Sequence, residues 1–273
     1  MKHALLKPLR YLFLFIPFLG KSAAIKDTVL EHTILQEQYV TALQYTASAF
    51  KNPSTRQRDS FSYYLYQTAE CLYKLKKMEQ LSELFTVYDK SINKVTPYYS
   101  AKIYSLQLLL ENEKINSTRT GQSLKQAIAS CQYATIKTDY TLALASYFLT
   151  VNKIDSGELL YRTIYLSAIA TSVQKAAACN GIGACFSYNS DFDSAKIYYH
   201  KAIDLYAETL GLKHSKVAQV KYNLALIANK FGEYSVSQVL LQNVLSTYRT
   251  VFGEQHPSTA NAYGALSSVF LLQ

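Results

Sequence analysis

The C-terminal part of the chain repeats itself at a period of 42 residues, and no other feature of the sequence constrains the fold as strongly. Residues Lys175–His214 align without a gap on Val217–His256, and a third copy runs from Pro257 to Leu266. The matched pairs include Ile182 with Leu224, Gly183 with Ala225, Ala195 with Ser237, Tyr199 with Leu241, Ala202 with Val244, Tyr206 with Tyr248, Gly211 with Gly253 and His214 with His256. A period of this length predicts stacked units that bury their apolar faces on one another.

Each unit is predicted to be a helix, a short turn, a second helix and a loop. Only nine glycines and five prolines occur in 273 residues, which favours helices over a turn-rich β fold. Gly183 and Ala225 are small, so we expect the second helix to approach the first closely there. Gly211 and Gly253 are expected to end the second helices, and Pro257 is expected to lie at the start of the next one.

These residues resemble the tetratricopeptide repeat, in the longer 42-residue form seen in kinesin light chains. The positions that carry the resemblance are Leu224, Ala225, Gly232, Tyr234, Leu241, Val244, Gly253, His256 and Pro257. The resemblance implies an all-α fold, a right-handed α-α superhelix or solenoid. It also implies a protein-binding scaffold whose first helices line a concave groove. Similar bacterial repeats precede CHAT peptidase or sensor kinase domains.

Upstream of residue 135 the same template is degenerate. Pairs of amphipathic segments are predicted at Asp59–Lys76 with Glu79–Asn93 and at Tyr98–Glu113 with Ser117–Ala134, and Asp27–Phe50 is predicted to be one further helix. The whole chain is therefore expected to hold about five helical pairs plus flanking helices. We expect three segments: a signal peptide over 1–24, degenerate helical repeats over 25–134 and clear repeats over 135–273, the last repeat incomplete.

The N-terminus has the pattern of a secretory signal peptide. Lys2, Lys7 and Arg10 precede an apolar run of about ten residues, and Ser22-Ala-Ala24 supplies small residues for cleavage after Ala24. The run is too short for a stable membrane anchor, so we expect an exported protein, periplasmic or secreted, with no membrane span after cleavage. Cleavage removes four of the cationic residues behind the +9 formal charge, and the remaining lysines are scattered. The sequence therefore gives weak support to nucleic-acid binding.

No group of residues has the spacing of a catalytic or metal site. The cysteines, Cys71, Cys131, Cys179 and Cys185, form no CxxC motif and are expected to be small buried residues. His214 and His256 recur at the repeat period, which indicates a structural role in the loops. Gly181 and Gly183 lie mid-helix, where close helix packing explains them better than a phosphate loop does. We therefore predict no enzyme activity, no cofactor and no metal.

The repeat register, carried over from the family, predicts which side chains face the groove. They are Asn180, Ser187, Tyr188, Gln219, Tyr222, Asn229, Lys230 and Asn261. Amides can pair with a peptide backbone, and tyrosines give rigid contact area with a polar tip. Lys230 can meet a carboxylate. A protein or peptide partner is therefore expected in the groove.

Two other interpretations stay open at this level. The apolar residues Val269–Gln273 indicate either a contact with a partner at the C-terminal end or a longer parent protein. In the second case the chain is the sensory or regulatory part of a split or truncated CHAT peptidase or histidine kinase. A hydrolase in its own right is the least supported interpretation, because no catalytic motif is present.

Overall fold

The computed structural model describes residues 27–49, 58–89, 95–114 and 118–272, and every regular element in these ranges is an α-helix. The predicted signal peptide, residues 1–24, lies outside them. In chain order the helices are α1 (Thr28–Leu35), α2 (Tyr39–Ala49), α3 (Arg58–Lys74), α4 (Met78–Asp89), α5 (Pro97–Lys114), α6 (Thr118–Ser130), α7 (Ala134–Thr150), α8 (Ile154–Leu166), α9 (Ser172–Tyr188), α10 (Phe192–Leu210), α11 (Ser215–Lys230), α12 (Tyr234–Phe252) and α13 (Pro257–Leu272). The all-α class is as predicted.

The chain divides into two compact units, residues 1–111 and 112–273. In the first unit, α1 packs on α2, α2 on α3 and α3 on α4. The tyrosines of α3 and α5 pack edge to face, as in the pairs Tyr63 with Tyr99 and Tyr98 with Tyr99. Tyr64 donates a hydrogen bond of 2.7 Å to the Asp27 carboxylate. These tyrosines therefore pack between helices, although Tyr98 and Tyr104 are exposed.

The single helix predicted over Asp27–Phe50 is wrong. The structure has two helices there, α1 and α2, separated by a turn at Gln36 and Glu37. Glu37 has φ 57°, and its buried carboxylate accepts a hydrogen bond from the Tyr39 hydroxyl at 3.3 Å. The turn contains no glycine, proline or asparagine, so the usual signals of a helix end are missing.

In the second unit, each helix from α7 to α13 packs on the helix before it. First helices of successive repeats also touch, since α7 contacts α9 and α11 contacts α13. This alternation produces the layered solenoid that the repeat predicts. The buried stripe of α10 is Ala195, Tyr199, Ala202 and Tyr206, and that of α12 is Ser237, Leu241, Val244, Leu245 and Tyr248.

Gly183 shows why a small residue is needed where the two helices of a repeat meet. A Cβ atom at this position would lie 2.6 Å from Cε1 of Tyr199, on the opposite helix. The next repeat has Ala225 in place of Gly183 and Leu241 in place of Tyr199. The larger residue on its first helix is therefore matched by a smaller residue on its second helix. In that repeat, buried Ser237 donates a hydrogen bond of 2.9 Å to the Ala225 carbonyl, which explains a serine where the preceding repeat has Ala195.

The same turn closes the first helix of five helical pairs. In each, one residue adopts a left-handed φ, between 53° and 74°, and its N–H bonds to the carbonyl three residues earlier. The following N–H bonds to the carbonyl five residues earlier, which is the Schellman pattern. The left-handed residues are Glu37, Lys76, Asn152, Ser190 and Gly232. The second helices α10 and α12 end at Gly211 and Gly253, with φ 92° and 87°, as predicted.

Candidate protein-binding groove

The first helices of the repeats, α7, α9, α11 and α13, form one face of the second unit. Helices α7 and α9 touch, α11 and α13 touch, and a side-chain hydrogen bond joins α9 to α11. That bond runs from the Asn223 amide nitrogen to the Asn180 amide oxygen and is 3.0 Å long. Asn180 is half-buried and keeps its own NH2 group for other partners.

Ser187 and Tyr188 lie at the C-terminal end of α9 and differ in exposure. The Ser187 hydroxyl lies 3.3 Å from the Tyr199 hydroxyl, so it belongs partly to the packing of its own repeat. Tyr188 is 62% exposed, and its side chain adds large apolar area to the surface. Of the two, Tyr188 is the side chain more available to a ligand.

The predicted positions on α11 and α13 also separate into exposed and packed side chains. Gln219 and Asn261, which occupy the same repeat position, are both exposed. Tyr222 is half-buried and packs against the clusters around Leu241 and Val244. Replacing Tyr222 therefore perturbs the fold as well as the surface, whereas Gln219 and Asn261 can be changed at little structural cost.

Asn229 and Lys230 lie beside an aromatic cluster where one repeat meets the next. The Phe192 and Phe231 rings pack edge to face at 5.3 Å, and the Lys230 ammonium lies 4.4 Å from the centre of the Phe192 ring. The buried amide oxygen of Asn229 has no hydrogen-bond partner. In this structure the Lys230 charge therefore rests on an aromatic face rather than on a carboxylate.

Sequence reasoning missed two side chains on this face. Asn223 pairs with Asn180, but its equivalent in the preceding repeat is Gly181, so the repeat register gave no signal for it. A Cβ atom at Gly181 would lie 2.3 Å from Tyr161 of the preceding repeat, which explains the glycine there. The second is Leu226, an exposed aliphatic residue of α11 whose equivalent in the preceding repeat is Ala184.

Comparison with known proteins bears on α11 and α12. The family model described as tetratricopeptide repeat matches residues 217–258, which span both helices. The helix pair α9–α10 has a turn of the same length, and the four buried residues of α10 have buried equivalents on α12 one period later. The match and the neighbouring helix pairs support a tetratricopeptide repeat over residues 217–258, within an all-α repeat fold. Such repeats are typically non-catalytic scaffolds for protein–protein interaction.

The crystal structure of BtubC (BKLC) from P. vanneervenii is similar at a TM-score of 0.45 and 14% sequence identity, and the match covers 90% of this chain and 85% of that chain. No curated protein matches this chain.

The two recurring histidines cap the first helices of successive repeats. Nδ1 of His214 accepts a hydrogen bond of 3.2 Å from the Lys216 N–H, at the start of α11. His256 repeats this contact at the start of α13, with 3.1 Å to the Ser258 N–H. A ring nitrogen used in this way satisfies one of the free N–H groups of the first helical turn. The structural role predicted for both histidines is confirmed.

The cysteines are free thiols, and three of the four, Cys71, Cys179 and Cys185, are buried. Burial raises the pKa of the Cys179 thiol to about 11 and that of Cys185 to about 12, so both are protonated at neutral pH.

Within the described ranges, histidine, cysteine and carboxylate side chains form no group of three that fits a metal ion. None of the helices described is long and apolar enough to cross a membrane.

Proposed function

We propose that the face formed by α7, α9, α11 and α13 binds an extended segment of a partner protein. The observation that carries this proposal is the Asn180–Asn223 bond, which links the first helices of adjacent repeats and leaves amide groups at the surface between them. Amides of this kind can pair with both the N–H and the carbonyl groups of a peptide backbone. The tetratricopeptide fold is consistent with such a role.

The exposed residues along this face favour a mixed polar and aromatic contact. Tyr188 offers a rigid ring with few rotatable bonds, so little conformational entropy is lost when it becomes ordered at an interface. Gln219 and Asn261 offer further amides on the two repeats that follow. Lys230, which lies over an aromatic ring, can turn to meet a carboxylate of the partner. The contact is expected to be held by a few of these groups and not by all of them.

We also propose that the chain acts outside the cytoplasm, on the strength of the signal-peptide pattern over residues 1–24. The exported form would begin at Ile25. Mass spectrometry of the chain recovered from expressing bacteria tests this. An N-terminus at Ile25 in the exported fraction is expected, and full-length chain confined to the cytoplasm contradicts export.

The groove is tested by affinity capture from the exported fraction. The bait is compared with a variant in which exposed Tyr188, Gln219 and Asn261 are changed to alanine. Tyr222 is left unchanged, because it packs in the interior. The matched control changes three exposed residues of the second helices to alanine: Glu208, Ser246 and Thr250.

A partner captured by the native chain and the control, but lost from the groove variant, supports the proposal. A partner that all three proteins capture places the interface elsewhere. The exposed Phe270 and Leu271 of α13 are the first residues to change in that case. If the native chain captures no specific partner, the proposal of a groove-binding scaffold fails.

A further inference from the structure

Three exposed aliphatic residues occupy the same repeat position on successive second helices. They are Leu159 on α8, Ile197 on α10 and Val239 on α12, with side chains 67%, 55% and 58% exposed. Ile197 and Val239 are one 42-residue period apart, and Leu159 is the sixth residue of α8, as Ile197 is of α10 and Val239 of α12. We call these three residues the outer row. The second helices place it away from the groove face.

The fold does not need the outer row. Each second helix already buries a separate stripe, such as Ala195, Tyr199 and Ala202 on α10. Ile197 lies two residues from Ala195, about 200° around the helix, so it points to the opposite side. Single exposed aliphatic residues are common on protein surfaces. Their recurrence at one repeat position in three consecutive units instead indicates a continuous surface.

Charges of opposite sign flank the outer row on α8 and α10. One turn before it, Asp155 and Asp193 are exposed at equivalent positions on α8 and α10. One turn after it, α10 carries exposed His200 and Lys201, and α8 carries Arg162. Arg162 is held by Glu158 and by a 3.1 Å hydrogen bond to the Tyr198 hydroxyl, whereas Lys201 lies 4.9 Å from the centre of the Tyr198 ring. Along α10, the surface is therefore acidic before Ile197, aliphatic at Ile197 and basic after it.

This order of charges is complementary to itself. Consider a two-fold axis that runs along the outer row, across the second helices. It places a second copy against the first with its second helices antiparallel to those of the first copy. The acidic side of one copy then faces the basic side of the other, while the aliphatic residues meet in the middle. The alternative axis, along the helices, places like charges opposite each other and is unfavourable.

We propose that the outer row is the contact surface of a homodimer. The contact is centred on α10, where Ile197 meets Ile197 of the second copy. Asp193 and Lys201, each four residues from Ile197, then face Lys201 and Asp193 of the second copy. Leu159 and Val239 extend the apolar contact onto the neighbouring repeats. This proposal concerns a different face from the groove and does not depend on it.

Sedimentation equilibrium or light scattering of the purified chain tests the dimer. As the concentration rises from about 10 to about 500 µM, the range over which small interfaces associate, the mass is expected to rise from 30.8 kDa towards twice that value. Ile197→Glu is expected to keep the chain monomeric throughout this range. The matched control is Leu212→Glu, because Leu212 is 66% exposed in the loop after α10 and lies off the outer row. It is expected to dimerise like the native chain.

A charge exchange tests the proposed orientation. Asp193→Lys and Lys201→Asp are each expected to weaken the dimer at least tenfold, and the double variant, which restores opposite charges, is expected to recover it. Circular dichroism checks that every variant keeps its helices. A native chain that stays monomeric at the highest concentration overturns the proposal, and so does a dimer that survives Ile197→Glu. Single charge variants that dimerise normally overturn the antiparallel pairing. Partner capture by Ile197→Glu reports on the groove separately.

Discussion

The contact between Gly183 and the Tyr199 ring gives the most precise stability prediction. In Gly183→Ala, the new methyl group lies 2.6 Å from Cε1 and 2.7 Å from Cδ1 of a ring that is almost fully buried. Overpacking of this kind costs about 1–3 kcal/mol. Alanine is favoured over glycine inside a helix by about 1 kcal/mol, which offsets part of that cost. A net destabilisation of about 1 kcal/mol is expected.

The next repeat supplies the compensating change. Its equivalent residues are Ala225 and Leu241, so Tyr199→Leu combined with Gly183→Ala recreates a pair that this chain already uses. In the Tyr199→Leu background no ring opposes the methyl group. Gly183→Ala should then stabilise by about 1 kcal/mol through helix propensity alone. Gly183→Ala is therefore expected to destabilise the native chain but to stabilise the Tyr199→Leu variant. The difference between these two effects is a coupling energy of about 2 kcal/mol.

Urea unfolding of the four proteins, followed by far-ultraviolet circular dichroism, measures this cycle, since the chain has no tryptophan for fluorescence. Hydrogen exchange of peptides from α9 and α10 assigns the change to this repeat, because the chain has two compact units. If the changes in unfolding free energy of the two single variants sum to that of the double variant within about 0.5 kcal/mol, the two sites are independent and the reasoning is refuted. The matched substitution Ala225→Gly, at a position where Leu241 takes the place of Tyr199, should only destabilise, by about 1 kcal/mol.

Three further predictions concern the turn, the buried serine and the thiols. Ser190→Gly should stabilise the chain by up to about 1 kcal/mol in urea unfolding, because Ser190 has φ 62° and its equivalent is Gly232. Ser237→Ala should cost about 1 kcal/mol or less in the same assay, since it removes one buried hydrogen bond and restores the residue found at Ala195. Stability should fall as the pH rises above 9, because the unfolded thiols ionise there while Cys179, with its pKa near 11, and Cys185 stay protonated in the fold. The unfolding free energy should drop by up to about 1.4 kcal/mol per pH unit for each thiol. Changing both cysteines to alanine should reduce the slope between about pH 9 and 10, leaving the part due to buried Cys71, and an unchanged slope would contradict the prediction.

Where the repeat is intact, its register sufficed to predict both helix ends and buried positions. Gly211 and Gly253 end α10 and α12, and Pro257 begins α13, because these residues have conformational preferences that do not depend on distant neighbours. Close packing at Gly183 was predictable for the same reason, since a small residue faces a large one at a fixed repeat position. Local chemistry and the period together account for these features.

The surface of the groove was less predictable, because it depends on contacts between repeats. Asn180 was predicted to face a ligand, yet its oxygen accepts a hydrogen bond from Asn223, a residue that has a glycine as its equivalent. Lys230 was predicted to face the groove, where it could meet a carboxylate, and its ammonium lies over the Phe192 ring of the preceding repeat. Both contacts pair residues at different repeat positions, so self-alignment of the chain carries no signal for them.

The turns show that the repeat extends further in the backbone than in the sequence. Glu37 and Lys76 share no chemistry with Gly232, yet all three have a left-handed φ and the same pair of hydrogen bonds. A left-handed conformation costs a residue with a side chain about 1–2 kcal/mol, so packing of the helices on either side must hold it in place. The helix pairs α1–α2 and α3–α4 therefore share the turn geometry of a repeat unit without its glycine. The turn before α2 was missed for this reason: a glycine marks such a turn in the sequence, whereas Glu37 is held there by tertiary contacts.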